Sequence, residues 1–284
     1  MHADQSFQHP GHRPCAITRH RGGETLGALD NVAEEVPVAL VFNGISHAVM
    51  MATPRDLEPL AVGFALTEGI VASAADIYDM EVHMLPAAAE VQLTISRQAF
   101  MQLKERRRSL AGRTGCGVCG IESLALLDLD PEPMPAAPLP ESLAPAIARA
   151  AQELPRRQAL MRATGGVHAA AWCGLDGAVH AVFEDVGRHN AMDKLVGSLA
   201  LDGVDLRNGF VFLSSRASYE LVRKAARVGI PMLATISAPT SLAIDIAGKA
   251  GLTLASFCRQ DGFTVYTDVR PDRAPRAQRT APRS

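Results

Sequence analysis

The chain has 284 residues, 48% hydrophobic and 20% charged, a globular composition long enough for one large or two smaller domains. Its 28 Lys and Arg nearly balance 30 Asp and Glu, giving a formal charge of −2. Overall basicity therefore does not argue for a nucleic-acid partner, and any anion site must come from local clustering.

Residues 1–13 are polar and His-rich, without the apolar run of a secretory signal, and residues 1–15 are expected to be disordered. Residues 36–42 and 45–52 read as strands. Asn43-Gly44 between them is a strong hairpin signal, because both central positions of that turn favour positive φ. Over 57–70, Leu57, Leu60, Ala61, Phe64 and Ala65 fall at helical spacing, with Thr53 or Pro54 opening the helix. A strand over 91–95 and a helix over 97–108 follow, then a Gly-rich loop over 111–120. Residues 131–145 carry six prolines and read as an extended connector, preferred as a domain boundary. It separates an N-terminal α+β region, 16–130, from an α/β domain, 146–269.

In the second half, strands are expected over 167–173, 178–183, 210–213, 231–236, 252–258 and 264–267. Helices are expected over 189–201, 217–228 and 241–250. Strands alternating with helices of this length suggest a layered α/β domain with a partly parallel sheet. The tail, 270–284, is rich in Arg and Pro and is expected to be disordered. Proline interrupts the charge-free stretches 36–54 and 228–244, so neither suits a membrane helix, which needs about 20 mostly apolar residues. No membrane partner is expected, and the cytoplasm is the expected location.

The cysteines are Cys15, Cys116, Cys119, Cys173 and Cys258, an odd set with one close pair, and a poor disulfide framework. The pair lies in Thr114-Gly-Cys-Gly-Val-Cys-Gly120, just after Lys104, Arg106, Arg107, Arg108 and Arg113. Positive charge favours the thiolate, the nucleophilic form, and the glycines keep it accessible. Structural zinc needs about four ligands, usually in two pairs, and no second C-x-x-C exists. A thioredoxin-like pair would follow a strand and open a helix, whereas these flanks are Gly-rich. Sulfur relay or another exposed-thiol chemistry is the remaining reading.

Four further stretches carry chemistry. Glu184-Asp-Val-Gly-Arg-His-Asn-Ala-Met-Asp-Lys194 follows directly on a strand, where α/β folds bind ligands. There Asp185 is expected to orient His189 or Arg188, and His189 to donate to a ligand or exchange a proton. The alternative is a polar helix start with Asp193 and Lys194 as surface charges. In Thr164-Gly-Gly-Val-His168, His168 opens a strand and either faces a site or is a satisfied histidine. Ser214-Ser-Arg-Ala-Ser-Tyr-Glu220 places Ser214, Ser215 and Arg216 before a helix, which suits phosphate, ordinary Ser capping being the alternative. Ser237-Ala-Pro-Thr-Ser241 repeats that design. Phe257-Cys-Arg-Gln-Asp-Gly262 ends a strand, with Cys258 read as a core residue. There is no P-loop, no G-x-G-x-x-G opening a helix, and no zinc-deaminase pattern.

Taken in order from about Glu34 to Thr267, these motifs resemble the formate dehydrogenase accessory sulfurtransferase family FdhD. The resemblance implies persulfide sulfur taken from a cysteine desulfurase. It implies delivery to the molybdenum or tungsten bis-molybdopterin guanine dinucleotide cofactor, Mo-bis(molybdopterin guanine dinucleotide), of the formate dehydrogenase catalytic subunit. It makes Cys116 the expected persulfide carrier and Cys119 its partner. It places cofactor binding at Phe257, Cys258, Arg259, Gln260, Asp261, Gly262 and Phe263, and a guanine nucleotide is expected to mimic the cofactor. Arg188, Arg216 and Arg259 are expected to pair with its phosphates, and Asp185 or Asp261 to accept from a guanine edge. The resemblance also implies a homodimer and a larger domain with a cytidine-deaminase-like layered mixed sheet, without that enzyme's zinc ligands. No resident metal is expected. The rival function is a non-catalytic zinc- or nucleotide-binding chaperone of the apo-dehydrogenase. An RNA-binding module lacks the interleaved aromatics that stack bases.

Overall fold

The computed structural model describes residues 10–108 and 131–270. It begins with an antiparallel hairpin, β1 (His12–Arg21) and β2 (Glu24–Ala33). β1 starts inside the segment 1–15 expected to be disordered. The hairpin escapes pattern reading because it has no clean buried face: Leu26, Leu29 and Val32 are exposed.

A second sheet, ordered β4-β3-β6-β5, contains β3 (Val36–Phe42), β4 (Ile45–Ala52), β5 (Ile77–Leu85) and β6 (Ala88–Ile95). β3 and β4 form the expected hairpin, with φ 46° at Asn43 and 76° at Gly44. Asn43 also reaches β6, donating from Nδ2 to the Ile95 carbonyl and accepting the Ile95 N–H at Oδ1. α1 (Leu57–Thr67) starts after Asp56, at φ 54°, rather than at Thr53 or Pro54. Its residues are buried nearly all round, because both sides of this helix are covered. α2 (Arg97–Arg108) lies where its spacing predicts.

The expected connector 131–145 is already helical at Leu143, where α3 (Leu143–Arg157) begins, followed by α4 (Ala159–Thr164). The remaining elements are β7 (His168–Cys173), β8 (Val179–Asp185), α5 (Arg188–Leu201), β9 (Phe210–Leu213), α6 (Tyr219–Arg227), β10 (Met232–Thr235), α7 (Ser241–Ala250), β11 (Thr253–Ser256) and β12 (Thr264–Thr267). They build a mixed sheet ordered β12-β11-β10-β9-β7-β8, in which β9, β10 and β11 are parallel.

This sheet is buried on both faces. Val211, Leu213, Leu233 and Leu254 face the cluster that includes α5, α6 and α7. Phe210, Phe212, Met232 and Ala234 face a second cluster with Leu143, Ile147 and Leu154 of α3. The period of two therefore appears as alternation between two apolar layers, so the strands read as continuous hydrophobic runs. The first cluster continues through α1 to Val38, Leu40 and Val91 of the smaller sheet. α1 and α5 meet backbone to backbone. A Cβ on Gly63 would sit 1.8 Å from the Asp193 carbonyl oxygen, and one on Gly197 1.9 Å from that of Pro59. Among the described residues no helix is long and apolar enough to cross a membrane.

Candidate functional site

The carboxyl ends of β9, β10 and β11 share one edge of the larger sheet. β7 is antiparallel to β9 and brings its first residue, His168, to that edge; β8 pairs with β7 and brings its last, Asp185. Segments 164–168, 185–189, 214–218, 236–240 and 257–263 therefore assemble there, at the position where open α/β sheets bind ligands. Hydrogen bonds link them in series. Ala169 N–H donates to Ser214 Oγ at 2.8 Å, Ala217 N–H to the Ala238 carbonyl at 3.2 Å, and Cys258 N–H to the Thr235 carbonyl at 2.9 Å.

Asp185 organises this edge from within. Fully buried, it accepts from Thr53 N–H at 3.0 Å, Gly187 N–H at 2.8 Å, Asn190 Nδ2 at 3.0 Å and Lys194 Nζ at 2.7 Å. It does not orient His189, and its oxygens are engaged inside the protein rather than offered to a guanine. The surface-charge alternative for Lys194 and Asp193 also fails, because both are buried. Lys194 Nζ also donates to the Thr53 carbonyl at 3.0 Å. Asp193 accepts from Lys224 Nζ at 2.9 Å and Thr67 Oγ1 at 2.7 Å. Lys224 also pairs with Glu68, as does Arg223. Thr53, Thr67 and Glu68 lie more than a hundred residues before the partners they meet here, so spacing on one helix could not reveal these contacts.

Between the N-termini of α5 and α6 the polar groups are not satisfied. Arg188 Nε, His189 Nε2 and Ser218 Oγ are buried atoms without a hydrogen-bond partner among the described residues. Ser218 is the N-cap of α6, yet its hydroxyl makes no capping bond, and it is 4% exposed. Gly187, the N-cap of α5, has no side chain to cap with. Burial lowers the Arg188 pKa first, and the nearby Arg216 charge lowers it further. Burial, then Arg188 and Lys224, hold His189 down to about 4 against the opposing Glu220 and Glu68. The imidazole is thus neutral at pH 7, with Nε2 4.0 Å from Glu220 Oε2. His168 is lowered too, by burial first and then by Arg188. Unmet donors beside two guanidiniums and two helix N-termini suit an oxyanion. Of the other hydroxyls, Ser214 Oγ is taken by Ala169 N–H, and Ser215 Oγ donates to the Arg216 carbonyl at 3.1 Å.

The 257–263 loop divides by role. Cys258 is buried in the apolar cluster beneath the sheet, its thiol pushed up to about 12 chiefly by burial. It is the expected core residue and leaves no thiol at the surface. Arg259 Nη1 donates to the Ile236 carbonyl at 2.6 Å and the Cys258 carbonyl at 3.2 Å, so this guanidinium anchors the loop. Gln260, Asp261 and Gly262 are exposed and Phe263 is half-buried. Phe257 has φ 55° and a 46% exposed side chain. A bulky residue rarely adopts that conformation, which costs on the order of 1–3 kcal/mol and marks functional positions.

Sequence reading grouped the strand-end motifs but did not single out Ser218, Glu220 or Lys224, and took Thr53 only as a helix opener. Only Ser218 and Glu220 carried a local signal, as members of the 214–220 motif. Cys116 and Cys119 lie outside the described residues.

The comparisons agree with one another. The FdhD/NarQ family model matches residues 33–273. A sulfur carrier protein FdhD of Chromobacterium violaceum is 66% identical over 265 residues, covering 93% of this chain and 98% of that protein. One of Burkholderia mallei is 62% identical over 271 residues, covering 94% and 99%. A crystal structure described as a candidate formate dehydrogenase accessory protein from Desulfotalea psychrophila shares the fold, with TM-score 0.68, 24% identity and coverage of 93% and 99%. The chain belongs to the FdhD/NarQ family.

Proposed function

We propose that this protein is a sulfur carrier that loads Cys116 with persulfide sulfur and delivers it to a dinucleotide-bearing metal cofactor. Two relatives at 62–66% identity carry the sulfur-carrier name over nearly their whole length, and this chain has the C-x-x-C segment such chemistry needs. The donor in this reading is a cysteine desulfurase. The Cys116 thiolate attacks the donor's persulfide sulfur and displaces the donor thiolate, an exchange needing no outside oxidant. Cys119 is the partner thiol.

The acceptor is Mo-bis(molybdopterin guanine dinucleotide), or its tungsten counterpart, destined for a formate dehydrogenase catalytic subunit. The observation that carries this half is the set of unmet buried donors at Arg188, His189 and Ser218. Its phosphates fit those donors, and its flat rings fit the exposed Phe257. The reading includes a homodimer working in the cytoplasm.

The decisive experiment incubates the protein with a desulfurase and cysteine and reads Cys116 and Cys119 by mass spectrometry. A mass gain of one sulfur on Cys116, lost in Cys116→Ala, is the expected result. Normal loading of Cys116→Ala would remove Cys116 from its role. Stoichiometric zinc lost in Cys119→Ser would favour the chaperone reading instead.

A further inference from the structure

A groove opens at the end of α6 that points away from the strand-end edge. Ser218 is the N-cap of α6 at that edge, and nine helical residues at about 1.5 Å each put Arg227 and Val228 roughly 14 Å further along. There the end of α1 with the turn that follows it, the first half of α2 and the segment after α5 surround a cavity of about 740 Å³. Leu66, Ile70, Ala99, Val204, Leu206 and Val228 make its lining largely apolar, and Val204 is exposed. Leu201, next in the chain to the lining residue Ala200, is exposed as well. From α2 come Gln98 and Gln102, about one helical turn apart and both exposed.

We infer that this groove is the docking site of the sulfur donor, and that it receives an acidic segment of that protein through the segment's apolar face. This rests on the sulfur-carrier reading above and adds where the donor binds and what chemistry it presents.

The place is argued from chain connection. α2 forms one wall of the groove and ends at Arg108, and the same chain reaches Cys116 eight residues later. Fully extended, that connection spans at most about 28 Å. A protein seated against α2 is therefore held within a short tether of the thiol it must load. An apolar groove beside a helix is also the form that accepts the apolar face of a partner helix.

The sign is argued from the charges. Between residues 97 and 113 stand Arg97, Lys104, Arg106, Arg107, Arg108 and Arg113, opposed only by Glu105. The lining itself holds one cation, Arg227, and one carboxylate, Asp76. Asp76 is occupied in its own turn, accepting from Ala72 N–H at 3.2 Å and Ser73 N–H at 3.1 Å. Gly69, at φ 64°, lets the Arg227 guanidinium lie where a Cβ would otherwise stand. An acidic occupant complements this surface. The chain's own tail does not, because residues 270–284 carry five arginines and one aspartate.

The test measures binding of a purified cysteine desulfurase to the full chain by calorimetry, and the rate of Cys116 persulfide formation against desulfurase concentration. Gln98→Glu combined with Gln102→Glu should weaken binding and raise KM by about fivefold, the effect falling on KM rather than kcat. Gln98→Lys combined with Gln102→Lys should tighten binding by a similar factor, which no loss of folding could produce. Added salt should narrow the gap between the two pairs. Val204→Ala should weaken binding by about threefold through lost apolar contact. Equal effects of the Glu and Lys pairs, tighter binding by the Glu pair, or binding indifferent to all these changes would each overturn the assignment, as would failure of the desulfurase to bind. So would substitutions that alter the sedimentation of the chain alone and leave desulfurase binding as it was, since the groove would then join two copies. Inorganic polysulfide given to the wild-type chain separates the two ideas. Cys116 loaded from polysulfide and from the desulfurase, with the groove substitutions silent, sinks the docking site and leaves sulfur carriage standing. No loading from either source sinks sulfur carriage, and the role of the groove with it.

Discussion

Asp185 is the residue on which the site depends without touching a ligand. One carboxylate holds the start of α5 through Gly187, the end of the β4 segment through Thr53, and the buried cation Lys194. Asp185→Ala strands Lys194 as an unpaired charge, and breaking such a pair costs about 3–5 kcal/mol. Urea unfolding should show a loss of that size, while Asp185→Ala paired with Lys194→Met should recover much of it. An equal loss in both variants would assign the cost to Thr53 and Gly187 instead. Two titrating groups nearby give separable pH windows. Burial alone would raise Glu68, but Lys224 and Arg223 bring it from 4.5 to about 2. A depressed carboxylate stabilises the fold above its unfolded pKa, and that contribution is lost as pH falls from about 4.5 through 2. His189 is held at about 4 against 6.5 unfolded, so the unfolded chain binds the extra proton and stability falls between about 6.5 and 4. Glu68→Gln should flatten the lower window of a stability-versus-pH curve, and His189→Gln the upper one. Flattening in the opposite windows would show that these groups do not carry the shifts.

At the scale of elements, α1 and α5 form the joint between the two parts of the chain. Their crossing has no room for a methyl group at Gly63 or Gly197, because the obstacle is main-chain carbonyl, which cannot rotate away. Gly63→Ala or Gly197→Ala should therefore destabilise the protein by about 2 kcal/mol or more, since the helices must separate. Gly27→Ala in the hairpin, where nothing lies within 4 Å of the added atom, should stay close to neutral. Similar urea midpoints for all three would mean the crossing is not tight. This joint also marks where sequence reading stopped. β3, β4, α5, α7 and β9 were legible because each carries a clean local signal, such as Asn43-Gly44 or a short apolar run. β5 was not, since Ile77–Leu85 interleaves Asp79, Glu81 and His83 with its apolar residues at a half-exposed edge. α3 was hidden by the prolines before it, and its own Pro145 and Pro155 read as breaks. In fact Pro145 falls in the first turn, where a missing N–H costs nothing.

Across the whole molecule, the candidate site was legible as separate motifs but not as an assembly. Strand order brings 168, 185, 214, 237 and 257 to one edge, and no spacing within a motif encodes that order. Long-range contacts to Thr67 and Thr53 likewise hid the burial of Asp193 and Lys194, which their own motif left open as surface charges. Stability should follow this architecture. β9, β10 and β11 lie between two buried clusters, whereas β1 and β2 form a separate two-stranded sheet with most residues exposed. An isolated two-stranded hairpin is marginal in water, so its opening should cost far less than global unfolding. Hydrogen exchange on the dilute protein should show β1 and β2 amides exchanging orders of magnitude faster than those of Phe210–Leu213 and Met232–Thr235. The last strand amides should exchange at the rate set by global stability, because opening them requires both apolar layers to separate. Deleting the hairpin should then leave exchange in β9 and β10 nearly unchanged. Protection of β1 and β2 equal to that of β10 at low concentration would refute this hierarchy and make the hairpin an integral part of the folded core.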